Sequence, residues 1–399
     1  MHAVRANHRW GLVAVTLALS VAGCEPVTES DMGREEALEA PPTSEAFFRY
    51  SPNVFRVFTR NIYLGGDTGP LFTLDFTDTP AVVAGAAAFW GQVQASNFPD
   101  RAKTIADEIA RTNPHVVGLQ EVARYVLLDG DFHPTEGLDM LQILQSELAA
   151  EGLSYDVVLV QKNTSGSLPL SIDFVAPGSP APDQYLQFTL REVTLVRRDL
   201  NVVDQSSANY LAELDLGPLV LKRGWSRVTV DFRGVPFHVV NTHLETQSVR
   251  PVHDAQAAEL LETVTAGLEG VTIVMGDLNS DAEGQPGEPS WTPTYDLLTS
   301  NGFNDAWNSR LFRRFGGEGF TCCHDPDLMN GRSELDERID FVLVRTALEP
   351  LIGDGLPGLV AMSILGDDQR ERTATELWPA DHAALFAGLR LPYRRLRSD

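Results

Sequence analysis

The sequence feature that most constrains the fold is a set of short β-rich runs alternating with stretches of helical periodicity. Eight runs are rich in β-branched and aromatic residues and have the length of strands: 53–59, 115–119, 156–160, 192–197, 226–232, 236–242, 271–275 and 339–344. Three further stretches carry apolar residues at roughly helical spacing: 100–112, 137–151 and 254–268. This mixture predicts an α/β or α+β domain in which sheets and helices pack as layers.

Polar side chains stand where several of these runs begin or end. They are Asn61, Glu121, His243, Asp277, Asn279 and Asp340, and Asp381 and His382 come directly before the apolar run AALFAGL. One such residue is ordinary, because Asn and Asp are good turn formers. A whole series indicates that the strand ends converge on one pocket of carboxylates, amides and imidazoles.

This set of side chains predicts a divalent metal site. Carboxylate and carboxamide oxygens are the ligands of hard cations, so we expect Mg²⁺, with Mn²⁺ or Ca²⁺ as alternatives. A zinc site is disfavoured because the sequence contains no Cys-x-x-Cys or His-x-x-x-His spacing.

Six segments in a fixed order carry a resemblance to a known family. TRNIYLG, LQEV, NTHLE, GDLNS, RIDFVLV and DHAAL, spread over about residues 53 to 390, resemble the motif series of the endonuclease/exonuclease/phosphatase (DNase I-like) superfamily. The resemblance implies a four-layer DNase I-like sandwich, with two packed mixed β-sheets flanked by helices. It also implies hydrolysis of a phosphoester, most often a phosphodiester, by metal-assisted in-line attack of water on phosphorus.

The resemblance also implies a role for each matching residue. Asn61 and Glu121 would hold the metal, and Asp381 would line the same site. Asp277 and Asn279 would position the attacking water. Which group acts as the general base is left open by the motifs.

The remaining matches concern the phosphoryl group. His243 and His382 would donate hydrogen bonds to the phosphate and protonate the leaving oxygen, and Asp340 would orient His382 and fix its tautomer. Glu192 would be a carboxylate behind His243, and Arg223 would bind the substrate phosphate. For Glu192 and Arg223 the alternative is a surface charge that flanks a strand.

The charge of the chain bears on the substrate. A total of 31 Lys+Arg against 55 Asp+Glu gives a formal net charge of −24. Such a surface repels phosphate backbones at long range and disfavours extensive nucleic-acid binding. The substrate class stays open between nucleic acid and a phospholipid or inositol-type phosphoester. A different function is a non-catalytic surface lipoprotein that uses the fold as a binding module, and no stable protein partner is inferred.

The first residues predict export and a lipid anchor. Arg5 and Arg9 precede an apolar run that is too short to span a bilayer and ends in VAGC at Cys24. This ending resembles a bacterial lipobox, in which the cysteine is lipidated. We therefore expect a lipoprotein signal peptide at 1–23, a disordered tether at 24–45 and the hydrolase domain at 46–399.

The predicted anchor determines the location. The protein would lie in the bacterial cell envelope, attached to a membrane through Cys24, at the outer membrane or cell surface if the cell is Gram-negative. The alternative is an ordinary signal peptide with a chance cysteine. The other two cysteines, Cys322 and Cys323, are adjacent and predict either a vicinal disulfide or two free thiols.

Overall fold

Two mixed β-sheets form the centre of the computed structural model, which describes residues 52–172, 182–308, 318–346 and 358–390. With strands numbered in chain order, the first sheet contains β1 (Val54–Asn61), β2 (Val116–Gln120), β3 (Arg124–Asp129), β4 (Pro134–Asp139), β5 (Tyr155–Ile172), β6 (Pro182–Arg197), β15 (Leu359–Leu365) and β16 (Ala384–Arg390). Their order is β15-β16-β1-β2-β6-β3-β4, and β5 pairs with β6.

The second sheet has the order β13-β14-β12-β11-β10-β7. Its strands are β7 (Asn201–Asn209), β10 (Gly224–Phe232), β11 (Val235–His243), β12 (Val271–Asp277), β13 (Asn304–Asp305) and β14 (Asp340–Thr346). A small hairpin of β8 (Leu214–Asp215) and β9 (Val220–Leu221) lies apart from both sheets in the strand pairing.

Helices cover the outer faces. They are α1 (Gly69–Phe72), α2 (Thr79–Ala95), α3 (Phe98–Thr112), α4 (Met140–Ala150), α5 (Arg250–Glu259) and α6 (Thr294–Ser300), with a π turn at Leu260–Val264 and 3-10 turns at Gln247–Val249 and Gln369–Glu371. Among the described residues, no helix combines the length and apolar character that a membrane span requires.

The alternation of side chains along the strands produces the layers. In β1, Val57 faces the second sheet and Phe58 faces the helices, and Val116 and Val117 of β2 divide in the same way. The inter-sheet core takes side chains from both sheets: Phe55, Val57, Val116, Val228, Val239, Ile273 and Val342. Full burial of each large apolar side chain contributes about 1.5–3 kcal/mol.

The outer cores complete a four-layer arrangement. Side chains of α2, α3 and α4 pack on the first sheet, among them Phe89, Trp90, Ile105, Ile109 and Leu144. Side chains of α5, its π turn and α6 pack on the second sheet, among them Ala257, Leu260 and Leu298. The predicted sandwich of two mixed sheets flanked by helices is therefore confirmed.

Several sequence predictions of local structure need correction. The predicted runs 156–160 and 192–197 are parts of two longer paired strands, β5 (Tyr155–Ile172) and β6 (Pro182–Arg197), which extend well past them. Helix α2 was not predicted. The expected signal peptide, tether and Cys24 lie outside the described residues.

The pairing of the strands aligns the ends that carry polar residues. Strands β1 and β2 are parallel, and Asn61 lies opposite Gln120, so both strands end at the same edge. In the second sheet, parallel β11 and β12 place His243 opposite Asp277, and antiparallel β14 places Asp340 opposite Asp277. The register alone therefore puts three of the predicted catalytic residues in one row.

Candidate active site

His243, Asp277 and Asp340 form the row at the edge of the second sheet, and all three are buried. His243 Nε2 lies 3.3 Å from Asp277 Oδ2. Gly276 holds φ +135°, and a Cβ at that position would lie 1.9 Å from the carbonyl oxygen of Thr242. Only glycine permits this close approach of β12 to β11, so the GDLNS segment needs its glycine to place Asp277.

His382 closes the row from the first sheet. Its Nδ1 donates to Asp340 Oδ2 at 2.8 Å, and its Nε2 lies 3.8 Å from Asp277 Oδ2. The carbonyl oxygen of His382 accepts a hydrogen bond of 3.1 Å from Arg60 Nη2, and Arg60 forms a fully buried ion pair with Glu108. The hydrogen bond between His382 and Asp340 thus agrees with the prediction that Asp340 orients His382.

Two asparagines hold the Asp277 carboxylate, one through its side chain and one through its backbone. Asn61 Nδ2 donates to Asp277 Oδ2 at 3.2 Å, and the backbone N–H of Asn279 donates to Asp277 Oδ1 at 2.9 Å. Asn279 has φ +46°, and this left-handed turn brings its Nδ2 to 3.1 Å from His243 Nε2. Both carboxylate oxygens are therefore fixed in direction, which orients the group toward the cavity in front of the sheet edge.

Arg223 lies against the other side of His243. Its Nη1 is 3.1 Å from each ring nitrogen of His243. Two hydrogen bonds, of 3.1 and 3.4 Å, tie the guanidinium to the buried carboxylate of Glu245. Burial and the neighbouring charges of Arg223 and His382 hold the pKa of His243 well below its ordinary value, so this imidazole is neutral.

Glu121 and Asp381 form a second acidic pair beside the row. Glu121 Oε2 accepts from the backbone N–H of Leu64 at 2.9 Å, and Glu121 itself has φ +57°. Asp381 Oδ1 is buried and has no hydrogen-bond partner within the described part of the chain. Burial raises the pKa of Asp381 to about 7, and the charge of Glu121 adds to that rise while His382 opposes it.

Asp277 and His382 have opposite electrostatic settings. Burial raises the pKa of Asp277 to about 7, and the charge of Asp340 adds to the rise. Burial by itself would lower the pKa of His382, but Asp340, Asp381 and Asp277 raise it well above its ordinary value. A carboxylate that titrates near neutrality therefore faces an imidazolium that keeps its proton, which is the arrangement of a base and an acid.

The donor set fits a hard divalent cation. Asp277, Asp340 and His382 offer ligand atoms within 4.8 Å of one another, but hydrogen bonds within the row already account for that grouping. Asp340 Oδ1 and Asp381 Oδ1 are both buried and lack a hydrogen-bond partner among the described residues, which is costly for a carboxylate oxygen, and Asp381 Oδ1 is the one beside Glu121. An oxygen-bound cation beside Asp381 and Glu121 would satisfy that atom and offset the clustered negative charge.

Glu192 is the residue that the motifs imply as a carboxylate behind His243. Its carboxylate accepts from Asn163 Nδ2, and in the part of the chain that the structure describes no hydrogen bond joins it to His243. Burial raises the pKa of Glu192 to about 8, although Arg223 and Asn163 oppose the rise. A protonated Glu192 near neutral pH does not support the expected anion behind His243, and Glu245, which anchors Arg223, is the carboxylate nearest to that role.

The row opens into a groove of about 990 Å³, which is the upper size range of small-ligand pockets. Glu121, Glu192, Arg223, His243, Asp277, Asn279 and His382 line it. Cys322 and Cys323 line it too, and the structure joins them in a disulfide, with Cys323 Sγ 4.0 Å from His382 Nε2. The groove therefore brings most of the predicted site residues to one accessible surface.

Two further residues support the site and were not predicted. Arg101 is fully buried and donates to the backbone carbonyls of Ile62 at 2.7 Å, Pro379 at 3.0 Å and Tyr63 at 3.2 Å. It thereby ties the segment after Asn61 to the segment before Asp381. Glu245 is the second residue, and it supports the site by holding Arg223. Its place in the NTHLE motif could have indicated this role.

Comparisons with known proteins agree with this geometry. The sequence model described as Endonuclease/Exonuclease/phosphatase family matches residues 61–382. A search of curated proteins gave no match. An endonuclease/exonuclease/phosphatase family protein from Leptotrichia buccalis has a similar structure, with a TM-score of 0.51 and 12% identity over 84% of this chain and 100% of its own.

Two other solved structures are similar. The endonuclease/exonuclease/phosphatase from Bacteroides vulgatus has a TM-score of 0.50 and 18% identity, over 85% of this chain and 99% of its own. The endonuclease/exonuclease/phosphatase from Beutenbergia cavernae has a TM-score of 0.50 and 20% identity, over 85% of this chain and 72% of its own. These likenesses concern the fold, and the family match spans the strand-end residues from Asn61 to His382. The chain therefore belongs to the endonuclease/exonuclease/phosphatase family, a family of hydrolases that act on phosphoesters.

Proposed function

We propose that the protein is a divalent-metal-dependent phosphoester hydrolase, and that its substrate is a phosphodiester. Water would attack the phosphorus in line with the leaving oxygen. The observation that carries this proposal is the buried contrast between Asp277 and His382. The pKa of Asp277 is raised to about 7, whereas the pKa of His382 is raised well above its ordinary value, so His382 keeps its proton. Hydrolysis of a phosphoester needs both a base toward water and an acid toward the leaving oxygen.

Asp277 is the residue we assign to the water. Its two oxygens are held by Asn61 Nδ2 and by the backbone N–H of Asn279, so the carboxylate cannot rotate freely. A fixed carboxylate aligns water for attack and converts a collision into a positioned encounter. A pKa near 7 lets Asp277 accept a proton from that water at neutral pH.

His382 is the residue we assign to the leaving oxygen. Nδ1 is engaged by Asp340, so the proton on Nε2 is the one that points toward Asp277 and the groove. His243 lies 3.3 Å from Asp277 Oδ2 with Arg223 beside it, and both offer hydrogen-bond donors to a phosphoryl oxygen. These preorganised donors stabilise the charge that develops on phosphorus oxygens in the transition state.

Glu121, Asp381 and Asn61 are the residues we propose as ligands of Mg²⁺, with Mn²⁺ or Ca²⁺ as alternatives. Asn61 Oδ1 accepts from the Tyr63 backbone N–H at 3.0 Å, and its second lone pair is available to a cation. When bound, the metal supplies a positive charge that neutralises the phosphoryl group.

The location of the enzyme is part of the proposal. We propose export and anchoring to a membrane of the cell envelope through a lipidated Cys24. The support is the VAGC sequence after a short apolar run. Because a single acyl chain binds a membrane only marginally, we expect at least two. The intact mass of protein extracted from membranes tests this: an added diacylglycerol on Cys24 supports it, and an unmodified cysteine contradicts it.

Metal-dependent hydrolysis tests the catalytic part. Purified protein is incubated with bis-p-nitrophenyl phosphate and Mg²⁺, Mn²⁺ or Ca²⁺, with and without a chelator. We expect turnover that the chelator abolishes and added metal restores. A panel of plasmid DNA, RNA, sphingomyelin, inositol phosphates and simple monoesters then defines the substrate. A folded protein that hydrolyses none of these compounds with any metal would favour the alternative, a non-catalytic binding module.

A further inference from the structure

The wall of the groove away from the catalytic row is apolar. Phe72, Leu190, Leu214, Leu216 and Leu221 line the same groove as His243 and His382. Phe72 keeps 46% of its surface exposed and stands beside these leucines, so the exposed apolar surface here is a patch and not a single side chain. Exposed apolar groups that gather at a concave site generally mark a binding surface.

A second cavity adjoins the groove. It measures about 630 Å³ and shares Asn163 and Lys222 with the first. Its wall includes Phe76, Leu168, Phe188 and Leu219. Together the groove and this adjoining cavity, which we call the channel, offer far more apolar wall than a phosphate group requires.

The β8–β9 hairpin forms one side of this channel. Leu216 N–H donates to the carbonyl of Leu219 at 2.9 Å, and Gly217 with φ +84° completes the tight turn. The base of the hairpin is fixed, because Lys222 N–H donates to Thr164 Oγ1 at 2.8 Å and Thr164 Oγ1 donates to the Lys222 carbonyl at 3.2 Å. The leucines of the hairpin are therefore held at the groove by the sheet itself.

The charges of the groove argue against a polyanion. Lys222 and Arg223 are the Lys and Arg side chains among the described lining residues. Lys222 Nζ lies 3.3 Å from Glu213 Oε2, and Arg223 is bound to Glu245. A nucleic acid would need several cations along its backbone. This groove offers donors for one phosphoryl group and an apolar wall beside it.

We propose that the substrate is an amphiphile with a single phosphoester and an apolar chain, and that the chain lies in the channel between α1, the β5–β6 hairpin and the β8–β9 hairpin. The inference rests on the proposed function, since the phosphoester must sit at the catalytic row. Each methylene of the chain that leaves water favours binding by about fourfold. Selectivity would therefore grow with the length of the chain.

A series of p-nitrophenyl alkyl phosphodiesters tests the proposal. The methyl, butyl and octyl compounds share the phosphoryl group and the leaving group and differ in the alkyl chain alone. With the purified protein and Mg²⁺, below the concentrations at which micelles form, we expect kcat/KM to rise at least ~10-fold from methyl to octyl. Single-stranded DNA, added at the same concentration of phosphate groups, should inhibit hydrolysis of the octyl ester only weakly.

Variants in the channel locate the effect. Phe72→Ser and Leu216→Ser should reduce the octyl-to-methyl ratio of kcat/KM several-fold. Leu211→Ser is the matched control. Leu211 precedes the same hairpin and is 89% exposed, and it is not among the described residues that line the two cavities. The octyl-to-methyl ratio of kcat/KM for this variant should therefore match that of the wild type. Melting temperatures show that each variant is folded.

The outcomes separate the two proposals. Hydrolysis of the methyl ester without any gain from chain length, or tighter use of DNA than of the octyl ester, overturns the amphiphile proposal and leaves the hydrolase intact. An equal loss of the ratio in all three variants would overturn the assignment of the channel. Failure to hydrolyse any ester of the series would instead refute the proposed function.

Discussion

Replacement of Asp340 by Asn is the most informative single change in the catalytic row. Asp340 Oδ2 accepts from His382 Nδ1 at 2.8 Å, and both residues are buried. Asparagine has nearly the same shape, so packing is kept while the negative charge is lost. His382 then keeps two of the three carboxylates that raise its pKa, and that pKa falls.

The size of the effect follows from that contact. A hydrogen bond to a charged partner is worth about 1.5–3 kcal/mol. If the transition state uses the whole of it, kcat falls roughly 10- to 150-fold. Because an acid works only while it is protonated, the alkaline limb of the kcat profile should also move to lower pH in the variant.

The assay is kcat and KM for bis-p-nitrophenyl phosphate across a pH series at saturating Mg²⁺. Asp305→Asn is the matched control: Asp305 is also a buried carboxylate in an ion pair, with Arg338, but it does not line the groove. The control should lower the melting temperature and leave kcat unchanged. Wild-type kcat in Asp340→Asn, or an equal loss of kcat in both variants, would refute the reasoning.

Three further predictions concern metal binding and stability. Asp381→Asn should raise the Mg²⁺ concentration for half-maximal activity at least ~10-fold, because the site loses a carboxylate; an unchanged metal titration contradicts this. Burial raises the pKa of Glu192 to about 8, so its contribution to stability is present at acid pH and lost as pH rises toward that value. Glu192→Gln should therefore stabilise the fold by up to about 3 kcal/mol at pH 7 and little near pH 4, and equal unfolding free energies at both pH values would count against it. Gly276→Ala should destabilise the protein by at least ~2 kcal/mol, because its Cβ meets the Thr242 carbonyl, and an unchanged melting temperature would exclude that strain.

The catalytic row was predictable because strand ends have a simple geometry. Apolar runs that finish in His243 and Asp277 predict strand ends that converge, and the parallel pairing of β11 with β12 places these two residues opposite each other. What the sequence could not show is the partner of each side chain. Arg223 directly precedes β10, Glu245 follows β11, and the two side chains form a hydrogen bond. No short-range spacing in the sequence predicts that contact.

The errors in local structure also have physical causes. The β5–β6 hairpin contains Ser, Gly and Pro residues that favour turns, and its strands are stabilised by pairing with each other over most of their length rather than by an alternating apolar pattern. Helix α2 is rich in Ala and Gly, so its periodicity is weak. Its clearest signal is local: Asp78 caps Ala81 N–H, and Pro80 occupies the first turn.

The central claim is that Asp277 and His382 hydrolyse a phosphoester together with a bound metal. The most direct test measures Mg²⁺-dependent turnover of bis-p-nitrophenyl phosphate by the wild type, Asp277→Asn and His382→Ala, each with its melting temperature. We predict chelator-sensitive turnover in the wild type and a loss of at least ~10²-fold in each folded variant. Near-normal turnover by both variants would contradict the account.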